Sequence, residues 1–371
     1  MDISAVLKKE KLNKEDIIFL LGLKGQDEPD RLYRAAYAVK KEWVGNVDYY
    51  RGLLEFSNRC IKNCCYCGIR RDNGEVERFD TPREDILAMA RWCYEQQYGS
   101  ITLQSGERQD AAFIDYVEEL LRDIKKIGNG ALGITLCVGE QTKETYQRWF
   151  NAGAHRYLLR IESSNPELYA MLHPRDGRHS WKVRKACLDT LAEIGYQVGT
   201  GVMIGLPGQT LNDLADDILF YKKQNIAMIG MGPYVVHHNT PLGKKVIEKG
   251  LDTPAAKAER LQLSINMVAV TRLFLKDVNI AATTAMQTLH PLGREMALRA
   301  GANILMPLVT LPQFRSRYQL YDNKPCLEDG QGQCRECLSA RVASVGDTVG
   351  WGLWGDSPHF LISGNETEAV Y

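Results

Sequence analysis

Neither sign of charge is in surplus: Lys plus Arg number 46 and Asp plus Glu number 46, so the formal net charge is zero. A chain without net charge has no bulk attraction to nucleic acid or to an anionic membrane, which points away from both and toward a small substrate. No apolar run approaches the roughly 18 residues that a membrane span needs. The opening segment MDISAVLKKEKLNKED alternates charged with apolar residues and lacks the continuous apolar stretch of a signal peptide. The expectation is a cytoplasmic protein. Low-complexity tracts, solenoid repeats and Gly/Ser linkers are missing too, so no seam separates one folding unit from the next.

What is present is an ordinary globular composition, 44% hydrophobic and 25% charged over 371 residues. Residues 1–48 read as a helical extension, with Leu32, Ala35, Ala36, Val39 and Trp43 repeating at helical spacing on one apolar face. From Tyr50 onward, short β-rich runs alternate with longer amphipathic ones. The strand candidates are Leu53–Phe56, Ser100–Leu103, Gly133–Cys137, Arg156–Leu159, Gln197–Ile204, Met228–Met231, Ile280–Thr283 and Asn303–Leu305. Helix candidates between them include Ala111–Lys126, Lys143–Asn151, Trp181–Ile194, Leu211–Gln224 and Ala255–Lys276, the last announced by Thr253 and Pro254. Eight βα alternations without a linker predict an α/β fold of the (βα)8 TIM-barrel type over residues 49–320; an open doubly wound sheet is the alternative. Residues 321–371 read as an irregular C-terminal segment wrapping the barrel rim.

Cysteine is plentiful, with ten in the chain. Seven of them fall in two tight groups, a pattern that favours metal over disulfides in a large cytoplasmic chain. Cys93, Cys137 and Cys187 lie in apolar patterns and read as small buried hydrophobes. The first group, SNRCIKNCCYCG, spaces Cys60, Cys64 and Cys67 as C-x3-C-x2-C just after the first strand. Thiolates suit iron–sulfur clusters, which usually take four; three leave one iron open to a ligand from outside. A structural zinc loop would want a fourth Cys or His nearby, and none is close. Cys65, the neighbour of Cys64, reads as a bystander. In the tail, Cys326, Cys334 and Cys337 form C-x7-C-x2-C, which fits a second iron–sulfur cluster or, with a distant residue such as His359, a zinc knuckle.

In a βα barrel the working residues sit where strands end. Gln104, Ser105, Gly106 and Glu107 follow the second strand, and Arg160 and Glu162 close the fourth, two residues apart. Arg160 and Glu162 either pair with each other or meet a ligand. Arg184 opens a helix and either reaches a carboxylate or is solvated. The fifth strand runs into GVMIGLPGQT, which lacks the Lys-Ser/Thr ending of a phosphate loop. Thr283 and Thr284 close the seventh, and Met306 the eighth, followed by Tyr318 and Tyr321. The adjacent His237 and His238 read as solvated loop residues.

The Cys60, Cys64 and Cys67 spacing, with the aromatic Tyr66 before the last cysteine, resembles the hallmark of the radical S-adenosylmethionine (SAM) superfamily. The strings LEFSNRCIKNCCYCGIRRDN, RYLLRIESSNP, MIGLPGQT, GMGPYVVHHNTPL and ATTAMQT, spread from about residue 30 to about residue 340, are similar to the HydE maturases of FeFe hydrogenases, with biotin synthase and methylornithine synthase as nearby families. The resemblance implies a 4Fe-4S cluster at the first cysteines, SAM as cosubstrate and a 5′-deoxyadenosyl radical. It implies SAM contacts from Tyr66, Gln104, Ser105, Glu162, Arg184 and Tyr318, and substrate contacts from Arg160, Thr283, Thr284, Met306 and Tyr321. The implied substrate is a mononuclear iron carbonyl–cyanide–cysteine unit made by HydG, with HydF receiving the product and a ferredoxin or flavodoxin as reductant. The tail cysteines resemble the accessory-cluster site, 2Fe-2S or 4Fe-4S, of some HydE proteins. Two other readings remain at this point: a methylornithine-synthase-like mutase acting on lysine, which has no need of the tail cysteines, and a non-enzymatic iron–sulfur scaffold.

Overall fold

A computed structural model describes residues 1–328 and 330–364. Eleven strands occur among the described residues: β1 (Val47–Ser57), β2 (Ser100–Ser105), β3 (Gly133–Cys137), β4 (Arg156–Leu158), β5 (Gln197–Thr200), β6 (Met203–Ile204), β7 (Met228–Ile229), β8 (Gly232–Pro233), β9 (Asn279–Ile280), β10 (Ile304–Leu305) and β11 (Thr348–Val349). The main ladder is parallel in the order β10-β1-β2-β3-β4-β5-β7-β9, and β6 pairs β8. A bridge from Ala281 to Ile304 joins the two ends, with Ala282 N–H donating to the Ile304 carbonyl and Asn303 N–H to that of Ile280, both at 2.9 Å. The sheet therefore curls into a (βα)8-type barrel. β5 with β6, and β7 with β8, are each one stave interrupted where Gly201 passes Gly230. A Cβ on Gly201 would lie 2.1 Å from the Gly230 carbonyl oxygen, so only glycine permits that approach.

Helices cover the outside because their sequences carry both an apolar stripe and a start signal. Ala111–Lys126 buries Phe113, Val117, Leu120, Leu121 and Ile124 and is capped by Asp110, whose carboxylate accepts from Phe113 N–H. Thr142, Ser180 and Thr253 cap Lys143–Asn151, Trp181–Ile194 and Pro254–Leu275 in the same way. Among the described residues no helix is long and apolar enough to cross a membrane.

The chain past Val349 seals the N-terminal end of the barrel. Arg156 donates to the Trp354 carbonyl at 2.8 Å and to Asp356 at 2.7 Å, while Arg51 and Asn279 both donate to the Gly355 carbonyl. With that end closed, the chemistry faces the opposite mouth, where strands end.

Three expectations need correction. The strands after β4 are shorter than their apolar runs, because two of those staves break at the glycine crossing. The tail is not wholly irregular: Gln331–Ser344 is a helix, driven by Cys334, Leu338 and Val342 at four-residue spacing, each at most 3% exposed. In the N-terminal helix Asp27–Trp43, Trp43 is 41% exposed, whereas Lys40 is fully buried. Lys40 donates to Asp48 at 2.8 Å and to Asp347 at 2.7 Å, so the buried ammonium joins the N-terminal helix, β1 and the tail.

Removing one member of a buried ionic set leaves the others uncompensated. Lys40→Met should cost about 3–5 kcal/mol, read as a lowered denaturant midpoint. Trp43→Ala should cost less than about 1 kcal/mol. Equal losses would contradict this placement.

Candidate active site at the barrel mouth

The loop that leaves β1 carries Cys60, Cys64 and Cys67 and is braced from all sides. Asn58 Nδ2 donates to the carbonyls of Glu77 and Arg317, both at 2.8 Å. Arg78 donates to the carbonyls of Asn58 and Ile69, Cys65 N–H to Leu172 O, and Gly68 N–H to Leu320 O. His179 Nε2 accepts from Asn63 N–H at 2.9 Å, while its Nδ1 is held by Asp176. Gly106 closes the back of the loop: a Cβ there would lie 2.3 Å from the Arg59 carbonyl oxygen and 2.9 Å from Cys60 Cβ.

The three thiols share one partly buried space. Burial first, and then the nearness of Cys67 and Cys60, pushes the Cys64 thiol well above its ordinary range. Burial and Cys60 push Cys67 up to about 12. Burial also raises Cys60, against the pull of Glu107 N–H, which donates to its sulfur at 3.3 Å. Three thiols that resist ionising beside one another suit iron, whose positive charge reverses that balance. Among the described residues, the set whose ligand atoms all lie within 4.8 Å of one another is a different one, His237 with His238 and Asp322. Three thiols at C-x3-C-x2-C spacing fit a cluster that gives each sulfur its own iron. Burial raises the Cys65 thiol, opposed by Arg70 and Lys245.

A ring of charge surrounds this space. Lys62, inside the cysteine loop, pairs with Glu140 at 2.7 Å and Glu107 at 3.1 Å. Arg184 pairs with the same two carboxylates at 2.8 and 3.3 Å, and its Nε donates to the Arg160 carbonyl at 2.6 Å. Two cations and two carboxylates, each largely buried, cancel. Burial opposes charge on Arg184, but Glu107 and Glu140 outweigh it and hold the guanidinium protonated. Arg184 is therefore not solvated. Arg160 and Glu162 form a two-pronged pair, both contacts at 2.9 Å, and Arg160 Nη1 donates to the Gly230 carbonyl. Glu162 sits at φ +64°, a strained conformation for a side-chain-bearing residue, kept by an isolated bridge to Val202, between β5 and β6.

Of the remaining residues singled out from the sequence, Tyr66 lies over the cysteines, its hydroxyl 3.5 Å from His173 Nε2. Burial, Cys64 and Glu162 all raise its phenol. Gln104 Nε2 donates to the Tyr318 hydroxyl at 3.3 Å, and Ser105 Oγ donates to the Gly106 carbonyl at 2.7 Å. Lys324 donates to both Glu55 oxygens and to the Tyr318 carbonyl, anchoring the segment that carries Tyr318 and Tyr321 to β1. Thr283 Oγ1 is buried with no hydrogen-bond partner among the described residues. Thr284 Oγ1 accepts from Arg294 at 3.1 Å, and Arg294 and Arg160 both act on the buried Tyr321 phenol. Met306 lies deeper, lining a cavity with Arg51, Thr135, Met228 and Ile304. In the GVMIGLPGQT turn, Gln209 Oε1 accepts from Gly205 N–H at 2.7 Å and from Leu206 N–H at 3.2 Å.

Sequence reasoning missed Lys62, Glu140, His173, His179 and Arg294, and quoted Glu107 without assigning it a place. Glu140 follows β3 and Glu107 follows β2, so the strand-end rule applied evenly would have found both. His173 and His179 lie between helices and gave no signal. Cys137 is half-buried rather than core, its thiol raised by burial to about 11 and opposed by Arg160 and Arg184.

The tail cysteines form a separate group. Burial apart, Cys334 is drawn down to about 6, chiefly by a hydrogen bond with Cys326 and also by Arg294 and Arg315. Arg341 Nε donates to Cys337 Sγ at 3.4 Å. Thiols among arginines suit an anionic cluster. His359 is not a partner for them, since it is engaged by Asp277 and Asn225.

Residues 54–221 match the family model of the Radical SAM superfamily. The chain is 39% identical over 354 residues to the [FeFe] hydrogenase maturase subunit HydE of Thermotoga maritima, covering 95% of this chain and 96% of that protein. Among solved structures, methylornithine synthase superposes with a TM-score of 0.77 at 21% identity, covering 94% of this chain and 97% of that one. The FeFe-hydrogenase maturase HydG from Carboxydothermus hydrogenoformans superposes with a TM-score of 0.76 at 20% identity, covering 94% and 78%. At those identities the structural likenesses speak to the fold alone.

Gly106→Ala should displace the cysteine loop, so the reconstituted protein should hold less iron and sulfide per chain with an unchanged far-ultraviolet circular dichroism spectrum. Gly177→Ala, whose added methyl meets nothing within 4 Å, should keep its iron. Unchanged iron in both variants would contradict the tight seat described for the loop.

Proposed function

The chain belongs to the HydE family of radical SAM enzymes, and from that premise we propose that it matures FeFe hydrogenase by acting on an iron carbonyl–cyanide–cysteine precursor. The observation that carries this reading is the 39% identity to a HydE protein across 95% of the chain. A lysine mutase and a non-enzymatic scaffold draw no comparable support. The enzyme uses a 4Fe-4S cluster and SAM; when bound, the cluster supplies the electron for reductive cleavage of the sulfonium carbon–sulfur bond.

The residues of the mouth divide the remaining work. Cys60, Cys64 and Cys67 would hold three irons and leave the fourth open. Tyr66, Gln104, Ser105, Glu162, Arg184 and Tyr318 would receive SAM, and a ring already balanced in charge can do so without a net electrostatic penalty. Arg160, Thr283, Thr284, Met306 and Tyr321 would face the substrate. Thr283 supports this, because its buried hydroxyl has no hydrogen-bond partner among the described residues and awaits a polar ligand. Arg160 also acts as a positioning residue, since its two-pronged grip fixes the Glu162 carboxylate. A closed barrel floor keeps water and stray hydrogen donors from a reactive centre.

Residues 1–48 would serve as the helical extension, 49–320 as the catalytic barrel and 321–371 as the segment carrying an accessory cluster on Cys326, Cys334 and Cys337, which takes no part in the reaction. HydG as supplier, HydF as recipient, a ferredoxin or flavodoxin as reductant and a cytoplasmic location complete the reading.

The direct test is hydrogenase maturation in a defined mixture with HydG and HydF, with and without this chain. Activity should require it and should vanish with Cys64→Ala. Formation of methylornithine from lysine under the same reducing conditions would end the maturase reading. Cys64→Ala should abolish 5′-deoxyadenosine formation from SAM, whereas Cys337→Ala should leave it nearly intact; comparable loss from both would contradict the division of roles. Arg160→Lys keeps the charge but loses the planar fork. It should weaken SAM binding about tenfold, near the ~1.4 kcal/mol expected for a charge-assisted hydrogen bond. Unaltered SAM affinity would remove Arg160 from its positioning role.

A further inference from the structure

Of the adjacent histidines, His238 is exposed, as a solvated loop residue would be, but His237 is not. His237 is only 6% exposed, and its ring packs against Gly68, where a Cβ would lie 2.3 Å from His237 Cδ2. The two imidazoles stack with centroids 5.0 Å apart and planes 11° from parallel. Asp322, from the segment that follows Tyr318 and Tyr321, lies opposite. Its Oδ1 is 2.9 Å from His238 Nδ1 and 3.8 Å from His237 Nδ1. Its Oδ2 accepts from His238 N–H at 2.9 Å, which fixes the direction of the free oxygen. Asp322 N–H in turn donates to the Val236 carbonyl at 3.0 Å, so the two segments meet at main-chain level as well. His237 Nδ1 accepts from Asn239 N–H at 3.2 Å, so that nitrogen carries its lone pair and not a proton.

We propose that His237, His238 and Asp322 form a binding site for one divalent transition-metal ion of the zinc or iron(II) class, separate from both cysteine groups. Three donor atoms within 4.8 Å of one another are near the spacing that a tetrahedral ion imposes, about 3.4 Å between ligand atoms at bond lengths of ~2.0–2.2 Å. Two imidazoles and a carboxylate are borderline donors that suit these ions and disfavour calcium and magnesium, which take oxygen. One position stays with water. The ion replaces the long hydrogen bond from Asn239 and the contact between His238 and Asp322 with three bonds to a common centre.

The consequence is mechanical. His237 and His238 belong to the loop that follows β8, and Asp322 to the segment that brings Tyr318 and Tyr321 over the mouth. Gly68, against which His237 packs, directly follows the cluster ligand Cys67. An ion at this point ties the loop to that segment beside the cysteine loop. The inference stands apart from the maturase reading and survives or fails without it.

The test uses the full chain with its clusters loaded under anaerobic conditions, dialysed against micromolar zinc chloride. One zinc per chain should be retained, and zinc K-edge absorption should show only nitrogen and oxygen neighbours at about 2.0–2.2 Å, with no sulfur near ~2.3 Å. His238→Ala and Asp322→Asn, both at accessible positions, should each weaken retention by at least about tenfold, since even partners of metal ligands carry that much. Zinc should also slow amide exchange over residues 316–324 in the unsubstituted chain and not in Asp322→Asn. Sulfur in the zinc shell, retention indifferent to both substitutions, or no retention at all would overturn the site.

Discussion

Three thiols gathered at one barrel mouth govern the rest of this molecule. Left to themselves, Cys60, Cys64 and Cys67 repel one another as they ionise, and burial deepens the cost. Neutral thiols do not hold a loop in shape, so its backbone must be fixed from elsewhere. It is fixed by β1 behind it, Gly106 beneath it, Arg78 and Asn58 along its return, and His179 at its flank. These contacts brace the loop, and a cluster held by a braced loop loses less to ordering than one held by a mobile loop.

The second constraint follows from the first. Concentrating potential anions at a barrel mouth calls for nearby cations, and unmatched cations would be as costly as unmatched thiolates. Lys62 and Arg184 answer the thiols, while Glu107 and Glu140 answer Lys62 and Arg184. One guanidinium thus touches the ends of β2, β3 and β4 through Glu107, Glu140 and the Arg160 carbonyl. That shared contact makes the strand ends a single surface. It also couples the cysteine loop to the Arg160 and Glu162 pair on which the proposed division of SAM and substrate contacts turns.

Much of this was legible in the amino acids. Ala111–Lys126, Lys143–Asn151 and Trp181–Ile194 came out with the bounds that sequence suggested, because stripe and cap agree in each. The cysteine triad was legible because its ligands are local. The ring of charge was not: Arg184 finds Glu140 and Glu107 at separations of 44 and 77 residues, and no local pattern encodes such a match. Lys40 was hidden for the same reason, its acidic partners being Asp48 and the distant Asp347. Stave lengths were blurred because a strand buried on both faces has no alternation to mark its end. The helix around Cys334 was masked by the glycines before it.

Electron paramagnetic resonance of the anaerobically reconstituted, dithionite-reduced protein, recorded with and without SAM, bears most directly on the central claim. A reduced 4Fe-4S signal whose shape changes on adding SAM, and which is lost in Cys64→Ala, is the result that three protein thiols and one open iron require. A cluster signal indifferent to SAM, or zinc as the metal held by those thiols, would contradict it.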